Sequence, residues 1–452
     1  MLHIRHQLII RHPTRPAILL TKDAGGSRLP AFVSEDRHTA DVDHINREIA
    51  RRFGLRTTVL RSLRHSEPLD DLVVRVHELE LHGEGSQPPP GLHWCSREDL
   101  PLMGGDADDI AAWLAATAVP RAAAADGRDW TLPGWFDTAC GWMAHTLAKA
   151  GEGKIQEVVQ QRTWPSSCVL FVRTERGEYY FKAVPESADR ECSVTSYLAQ
   201  HFPGATAPVV AVEPERRWFL MRGIGGRKLE EVDDAAVWER AAAAYGELQV
   251  ACQARVSDLH LLGCPTRGLD TLADEIEALL TAPTVLRPDE PGGLSADEAD
   301  RLRVCGPELR RRCERLAACD ISLTLEHGDL WPSNVFVDDE ACAVIDWEDV
   351  AIGHPFISLA PFIVGLGMFQ PGIASTAVTE RVELAYVARF TGFASEERLL
   401  EALRLARPLA FIDMAIRYRA QRTSVVQIHP WMRDLVPQAI RLALAQLDRE
   451  QV

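Results

Sequence analysis

Apolar positions recur with two different periods along the chain, and the period changes with position. Residues 17–21 (Ala-Ile-Leu-Leu-Thr) predict a strand, residues 43–53 a helix closed by Gly54, and residues 72–81 a long strand with partial alternation, which together make an α/β unit. Residues 111–125 are alanine-rich and Asp126-Gly127-Arg128-Asp129 is a turn signal, so a boundary falls there. Residues 140–149 predict a connecting helix, because Trp135, Trp142 and Leu147 need burial. Two strands follow, residues 169–173 and 178–184, joined by a turn at Arg176-Gly177, then a helix from Ser187 through Leu198 that ends near Pro203-Gly204. Residues 218–223 predict a strand running into a linker broken by Gly223, Gly225 and Gly226. Beyond the linker the pattern is helical: residues 235–262, 269–280, a helix opened by the capping box Ser295/Glu298, and distal helices near 379–390, 396–416 and 437–447.

The helical part contains Glu326-His327-Gly328-Asp329-Leu330-Trp331-Pro332-Ser333-Asn334, and then Val344-Ile345-Asp346-Trp347-Glu348 at the end of a short apolar run, residues 341–345. Phosphoryl transfer needs a carboxylate to orient and deprotonate a hydroxyl, and oxygen ligands to hold magnesium against ATP phosphates. Asp329 fits the first role and Asn334 and Asp346 the second, in the order and spacing of a kinase catalytic loop with glycine in place of arginine; His327 braces the loop. Such a site requires a strand lysine for the phosphates and a helix glutamate to hold it, and Lys182 and Glu191 stand at those places upstream. Met221, in the strand before the glycine linker, marks the hinge against which adenine lies.

These residues resemble those of the aminoglycoside phosphotransferase and choline kinase family, whose fold is the two-lobed protein-kinase-like one. The resemblance implies an α+β phosphotransferase domain with a mostly helical lower lobe, ATP and Mg2+ as cofactors, and an alcohol acceptor that is a small molecule: an aminoglycoside-like antibiotic, a sugar or an amino alcohol. No G-x-G-x-x-G precedes residue 169; the loop is Arg162-Thr163-Trp164-Pro165-Ser166-Ser167-Cys168, and the resemblance assigns the phosphate contacts to Ser166 and Ser167. It also implies an aspartate where this chain has Ser358, in Gly353-His354-Pro355-Phe356-Ile357-Ser358, so a hydrogen bond to the catalytic loop is weaker or made differently. A catalytically weak pseudokinase or nucleotide-binding regulator is the alternative reading. Glu348 and Asp349, then the weaker Asp413, Arg417, Arg419 and His429, are substrate-contact candidates that ordinary surface or salt-bridge roles explain better.

The first third carries Leu29-Pro30, Arg47-Glu48-Ile49-Ala50-Arg51-Arg52-Phe53-Gly54-Leu55 and Leu92-His93-Trp94, and looks like a degenerate Nudix domain. That family's helix bears a pair of metal-binding glutamates, and here Arg51 and Arg52 replace them, so the resemblance implies a Nudix-like α/β fold without Nudix hydrolysis, used for binding or dimer contacts. The expected plan is a Nudix-like domain over 1–118, a linker and connecting helix over 119–152, a nucleotide lobe over 153–226 and a helical catalytic lobe over 227–452.

Composition narrows the setting. The 452 residues exceed one usual domain, and 46% hydrophobic content is ample for packed cores. A formal charge of −16 disfavours nonspecific nucleic-acid binding and is compatible with a cationic substrate. Ten scattered cysteines without a C-x-x-C pair, and a start broken by Arg5, Arg11 and Arg15, point to a cytoplasmic protein with reduced thiols. Residues 350–379 carry no Asp, Glu, Lys or Arg, but Pro355, Pro361, Pro371 and four glycines interrupt them, so they read as buried core and not as a membrane span.

Overall fold

The computed structural model describes residues 3–23, 26–35, 38–66, 69, 71–83, 87–96, 98–99, 106–116, 127–281, 293–339, 341–425 and 434–449. They form two compact units, one built from Met1–Ser187 with Val210–Met221, the other from Ala188–Val209 and Arg222–Ser424 with the C-terminal helix.

The first unit opens with a mixed seven-stranded sheet of β1 (His3–Arg11), β2 (Ala17–Asp23), β3 (Gly26–Arg28), β4 (Ala31–Glu35), β5 (Arg56–His65), β6 (Leu72–His82) and β7 (Leu92–Ser96). Its order is β3-β2-β1-β6-β5, with β4 on β1 and β7 on β2, and β1 and β6 run parallel. Helix α1 (Asp43–Phe53) lays Ile45 and Ile49 on Leu8, Ile10, Val59 and Leu79, and Gly54 ends it in the left-handed conformation expected of a C-terminal glycine. On the other face α2 (Ala107–Ala116) brings Ile110 and Trp113 to Ile9, Ile18, Leu20 and Val76. Because both faces are covered, the run Leu8-Ile9-Ile10 is apolar throughout and shows no alternation.

The same unit continues through α3 (Trp135–Lys149) into a five-stranded sheet of β8 (Ile155–Trp164), β9 (Ser167–Thr174), β10 (Glu178–Ala183), β11 (Val209–Glu213) and β12 (Trp218–Arg222), ordered β11-β12-β10-β9-β8. Helix α3 seals one face, where Trp135, Phe136, Met143 and Leu147 pack on Cys168, Leu170, Tyr179, Phe181, Trp218 and Leu220. The segment expected as a loop over 162–168 is instead the end of β8, a two-residue turn at Pro165-Ser166, and the start of β9. Strand β8 is rich in polar residues and gave no apolar alternation.

The second unit holds α4 (Arg190–His201), α5 (Ala235–Gln253), α6 (Val256–Leu261), α7 (Leu269–Leu280), α8 (Ala296–Ala317), α9 (Leu359–Phe369), α10 (Thr376–Val387), α11 (Glu396–Val425) and α12 (Leu435–Arg449) around one large core. The expected single helix over 235–262 breaks at Ala254-Arg255 into α5 and α6. The Ser295/Glu298 capping box is present at the start of α8. Six short strands complete the unit: β13 (Arg227–Lys228), β16 (Val335–Val337) and β17 (Cys342–Val344) in one sheet, β14 (Thr266–Arg267), β15 (Thr324–Glu326) and β18 (Ala351–Gly353) in another. The uncharged stretch 350–379 supplies β18 and α9 to the buried core, and among the described residues no helix is long and apolar enough to cross a membrane.

Candidate active site

Strand β15 delivers His327, Gly328 and Asp329 from a fully buried stem, since Thr324 and Leu325 are inaccessible and Glu326 nearly so. His327 is buried as well, and both ring nitrogens are used. Nδ1 accepts from the Asp329 backbone N–H at 3.2 Å, which leaves Nε2 to donate to the Ile345 carbonyl at 2.9 Å. The ring rests on the Trp347 indole, 4.6 Å between centroids. One imidazole thus ties the Asp329 loop to the residue preceding Asp346.

Asn334 closes the loop from the other end. Its Nδ2–H donates to the Asp329 carbonyl at 3.0 Å and approaches Asp329 Oδ2 at 3.5 Å, while Ile345 N–H donates to the Asn334 carbonyl at 2.9 Å. With the amide nitrogen spent on Asp329, the side-chain oxygen of Asn334 is the group left for a cation. Asp346 has φ of 69°, a left-handed conformation uncommon for a residue other than glycine and of the kind held at functional sites. Burial, then the carboxylates of Asp349 and Asp346, push the Asp329 carboxyl up to about 8.

Two polar residues that sequence reasoning missed, or set aside, hold this loop. Tyr245 of α5 accepts the His327 backbone N–H at 3.1 Å and donates to Ser358 Oγ at 3.0 Å. Ser358 therefore takes part in a hydrogen bond to the catalytic loop, relayed by the tyrosine hydroxyl where the family pattern implied an aspartate. Of the surface, salt-bridge and substrate-contact roles open to Arg417 of α11, the structure shows the salt bridge: its side chain is 10% exposed and donates to Asp413 Oδ2 at 2.6 Å, to the Asp349 carbonyl at 2.9 Å and to Glu326 Oε2. Asp413 also accepts from Arg267 at 2.7 Å, and Arg267 donates as well to Glu275 at 2.9 Å. Burial raises Asp413, and Arg417 and Arg267 more than offset it, so its carboxyl stays below the usual range. The one signal for Arg417 in the sequence is Gly328. At φ of 83° a Cβ there would overlap the Asp349 carbonyl and lie 2.6 Å from Arg417 Nη1, so the glycine leaves room for a guanidinium that arrives from a distant helix.

Replacing Tyr245 by phenylalanine should leave the buried His327 N–H without an acceptor, at a cost of about 1–3 kcal/mol. Steady-state kinetics should show kcat lowered about two- to tenfold if roughly half of that cost falls on the transition state. An unchanged kcat would mean that the relay does not hold the loop.

The nucleotide-side candidates lie in the first unit, except Glu191. Lys182 stands on the central strand β10 and is 6% exposed. Since Cys168, Phe181 and Leu220 face α3, the alternation of a strand puts Ser167, Lys182 and Met221 together on the opposite face. Ser166 is in the β8–β9 turn. Glu191, at the start of α4 in the second unit, is 1% exposed. Of the other candidates, Glu348 and Asp349 follow Asp346 directly, the Glu348 carbonyl receives Arg190 at 3.4 Å, Arg419 donates to the Ala278 carbonyl, and His429 lies outside the described residues.

Among the described residues no cluster of three or more His, Cys, Asp or Glu side chains is arranged to hold a metal by itself. Asn334 and Asp346 offer one amide and one carboxylate oxygen, the sparse hard-donor set that suits magnesium completed by phosphate oxygens.

Among curated proteins no relative matches the sequence. Of solved structures, a choline kinase from Cryptosporidium parvum Iowa II is similar with a TM-score of 0.50 at 13% identity, covering 70% of this chain and 95% of that one. A choline/ethanolamine kinase family protein from Mesorhizobium loti gives a TM-score of 0.48 at 17% identity, covering 69% and 94%. The first likeness shows a protein-kinase-like phosphotransferase fold for the part of the chain it covers. A family model described as the phosphotransferase enzyme family matches residues 151–406, a span that contains Lys182, Glu191, Asp329, Asn334 and Asp346. On that match and on the motif it encloses, the chain belongs to the phosphotransferase enzyme family.

Proposed function

We propose that the protein is an ATP- and magnesium-dependent O-phosphotransferase that acts on a hydroxyl of a small molecule, such as an aminoglycoside-like antibiotic, a sugar or an amino alcohol. The observation that carries this reading is the grouping of Asp329, Asn334 and Asp346 around a single histidine brace. In the proposed reaction Asp329 orients the acceptor hydroxyl and receives its proton as the oxygen bonds to the γ-phosphorus of ATP; the bond to the β-phosphate oxygen breaks and ADP leaves. Asn334 and Asp346 would hold magnesium, which when bound would neutralise charge on the phosphates. Burial and the neighbouring carboxylates raise the Asp329 carboxyl to about 8, which makes it a stronger base than a free aspartate. Lys182, Ser166 of the β8–β9 turn and Ser167 meet the phosphates, and Met221 lies against the base. A cationic acceptor suits the net charge of −16 and the carboxylates of Glu348 and Asp349.

For the first third we propose a Nudix-type fold that has lost hydrolysis and serves for binding. Arg51 and Arg52 both close on Glu48 of α1 and, led by the Arg51 hydrogen bond, hold its carboxyl at about 2. The helix therefore presents arginines where metal-binding glutamates are required.

Thermal-shift titration tests the nucleotide reading. Mg·AMP-PNP should raise the melting temperature of the wild type, and Asp346→Ala should lose most of that rise, since a ligand at a hundredfold excess over its Kd adds about 2.7 kcal/mol. An equal rise in both proteins would remove Asp346 from the metal site.

A further inference from the structure

We infer that the N-terminal α/β sheet sets the shape of the Trp164–Ser167 turn, with Gln160 and the segment 38–42 as positioning residues for nucleotide binding. The inference rests on the reading of that turn as the phosphate loop. Strand β8 is the outermost strand of its sheet, and a hairpin whose outer strand is unsupported is weakly held. Here the N-terminal sheet supports it from the loop side. Val42 N–H donates to the Gln161 carbonyl and Thr163 N–H to the Ala40 carbonyl, each at 2.9 Å, so that Asp41 pairs with Arg162 as a further bridge. Arg162 Nε meets Asp41 Oδ1 at 3.2 Å, its Nη2 lies 3.3 Å from His38 Nδ1, and the His38 ring is 5.7 Å from that of Trp164, where the turn begins.

Beneath this contact Gln160 forms a buried joint. Its Oε1 accepts the Val59 N–H at 2.7 Å and the Asn46 amide at 3.2 Å, and its Nε2 donates back to the Val59 carbonyl at 2.8 Å. Both strands are irregular at this point: β5 shifts register against β6 between Val59 and Arg61, and β8 shifts against β9 between Gln160 and Arg162. Bulges of this kind re-aim side chains beside active sites. Two bulges facing each other across one amide make the register of the β8–β9 hairpin depend on β5 and, through Asn46, on α1. Removing the amide frees the hairpin tip without touching Lys182, and at the α3 core it gives up only the long contact of Gln160 Nε2 with Cys168 Sγ at 3.9 Å. A separate contact, from Gly134 N–H to Glu80 Oε1 at 2.6 Å, joins the same sheet to α3 and provides a control.

The test uses the full chain and its affinity for Mg·AMP-PNP, with KM for ATP, KM for the acceptor and kcat measured alongside. Gln160→Leu should weaken Mg·AMP-PNP binding about fivefold or more, the low end of coupling between linked sites. KM for ATP should rise in parallel, with kcat at saturating ATP and KM for the acceptor little changed. Asp41→Ala, an exposed change that leaves the buried joint intact, should shift affinity in the same direction by about twofold, and Glu80→Ala should leave it unchanged. Equal affinity for wild type, Gln160→Leu and Asp41→Ala overturns the inference, as does an equal loss in Glu80→Ala, which would reduce the effect to general docking. Failure of the wild type itself to bind Mg·AMP-PNP overturns the phosphate-loop reading and the inference with it. If Gln160→Leu melts before assay temperature, Asp41→Ala decides: a loss of affinity supports the inference and wild-type affinity overturns it.

Discussion

Asp329→Ala should lower kcat by about two orders of magnitude or more, because general-base catalysis contributes on that scale, while affinity for Mg·AMP-PNP stays near wild type. The separation follows from the geometry. Asn334 approaches Asp329 through its amide nitrogen, and His327 braces the loop through the Asp329 backbone N–H, so the alanine keeps both main-chain anchors. What it removes is a buried carboxyl that its neighbours have made a stronger base than a free aspartate. Nucleotide affinity falling as steeply as kcat would instead make Asp329 a structural or metal-binding group.

The second large effect belongs to Arg417. Its guanidinium satisfies the buried carboxylates of Glu326 and Asp413 and the Asp349 carbonyl together. Arg417→Ala leaves Glu326 buried and unpaired, and breaking a buried pair on one side costs about 3–5 kcal/mol. Chemical denaturation should show a loss of that size, and Glu326→Gln in the same background should restore part of it by removing the stranded charge. The strut runs from α11 to the stem of the catalytic loop, so turnover should fall in the single variant beyond what its folded fraction explains. A denaturation midpoint within error of wild type would remove Arg417 from this role.

Local chemistry was legible in the sequence, and long-range wiring was not. Gly54 at the end of α1, the Ser295/Glu298 box and the boundaries of α7 are decided by neighbouring residues, and they stand where local rules put them. The order His327, Asp329, Asn334, Asp346 is likewise local, and the structure brings these residues together. Strand β1 left little trace because both of its faces are buried, and β8 left little because polar side chains line a strand whose edge another part of the chain covers. Tyr245 and Ser358 are 113 positions apart, and Arg417 and Glu326 are 91 apart. No window of sequence contains either pair, so the sequence leaves open that Ser358 bonds differently and that Arg417 forms a salt bridge, and names the partner of neither. Gly328 was the local mark of the second pair, since a side chain there would collide with Arg417 and Asp349.

The central claim is that Asp329 drives transfer of the ATP γ-phosphate to a small-molecule hydroxyl with a divalent cation held by Asn334 and Asp346. Its most direct test is a transfer assay with γ-phosphate-labelled ATP and a panel of aminoglycosides, sugars and amino alcohols, run on wild type and Asp329→Ala with magnesium and with a chelator. The account predicts label on an acceptor hydroxyl in the wild type with magnesium, lost with the chelator and nearly lost in Asp329→Ala. Transfer that persists at wild-type rate in Asp329→Ala, or label released from ATP only as inorganic phosphate or pyrophosphate, would contradict it.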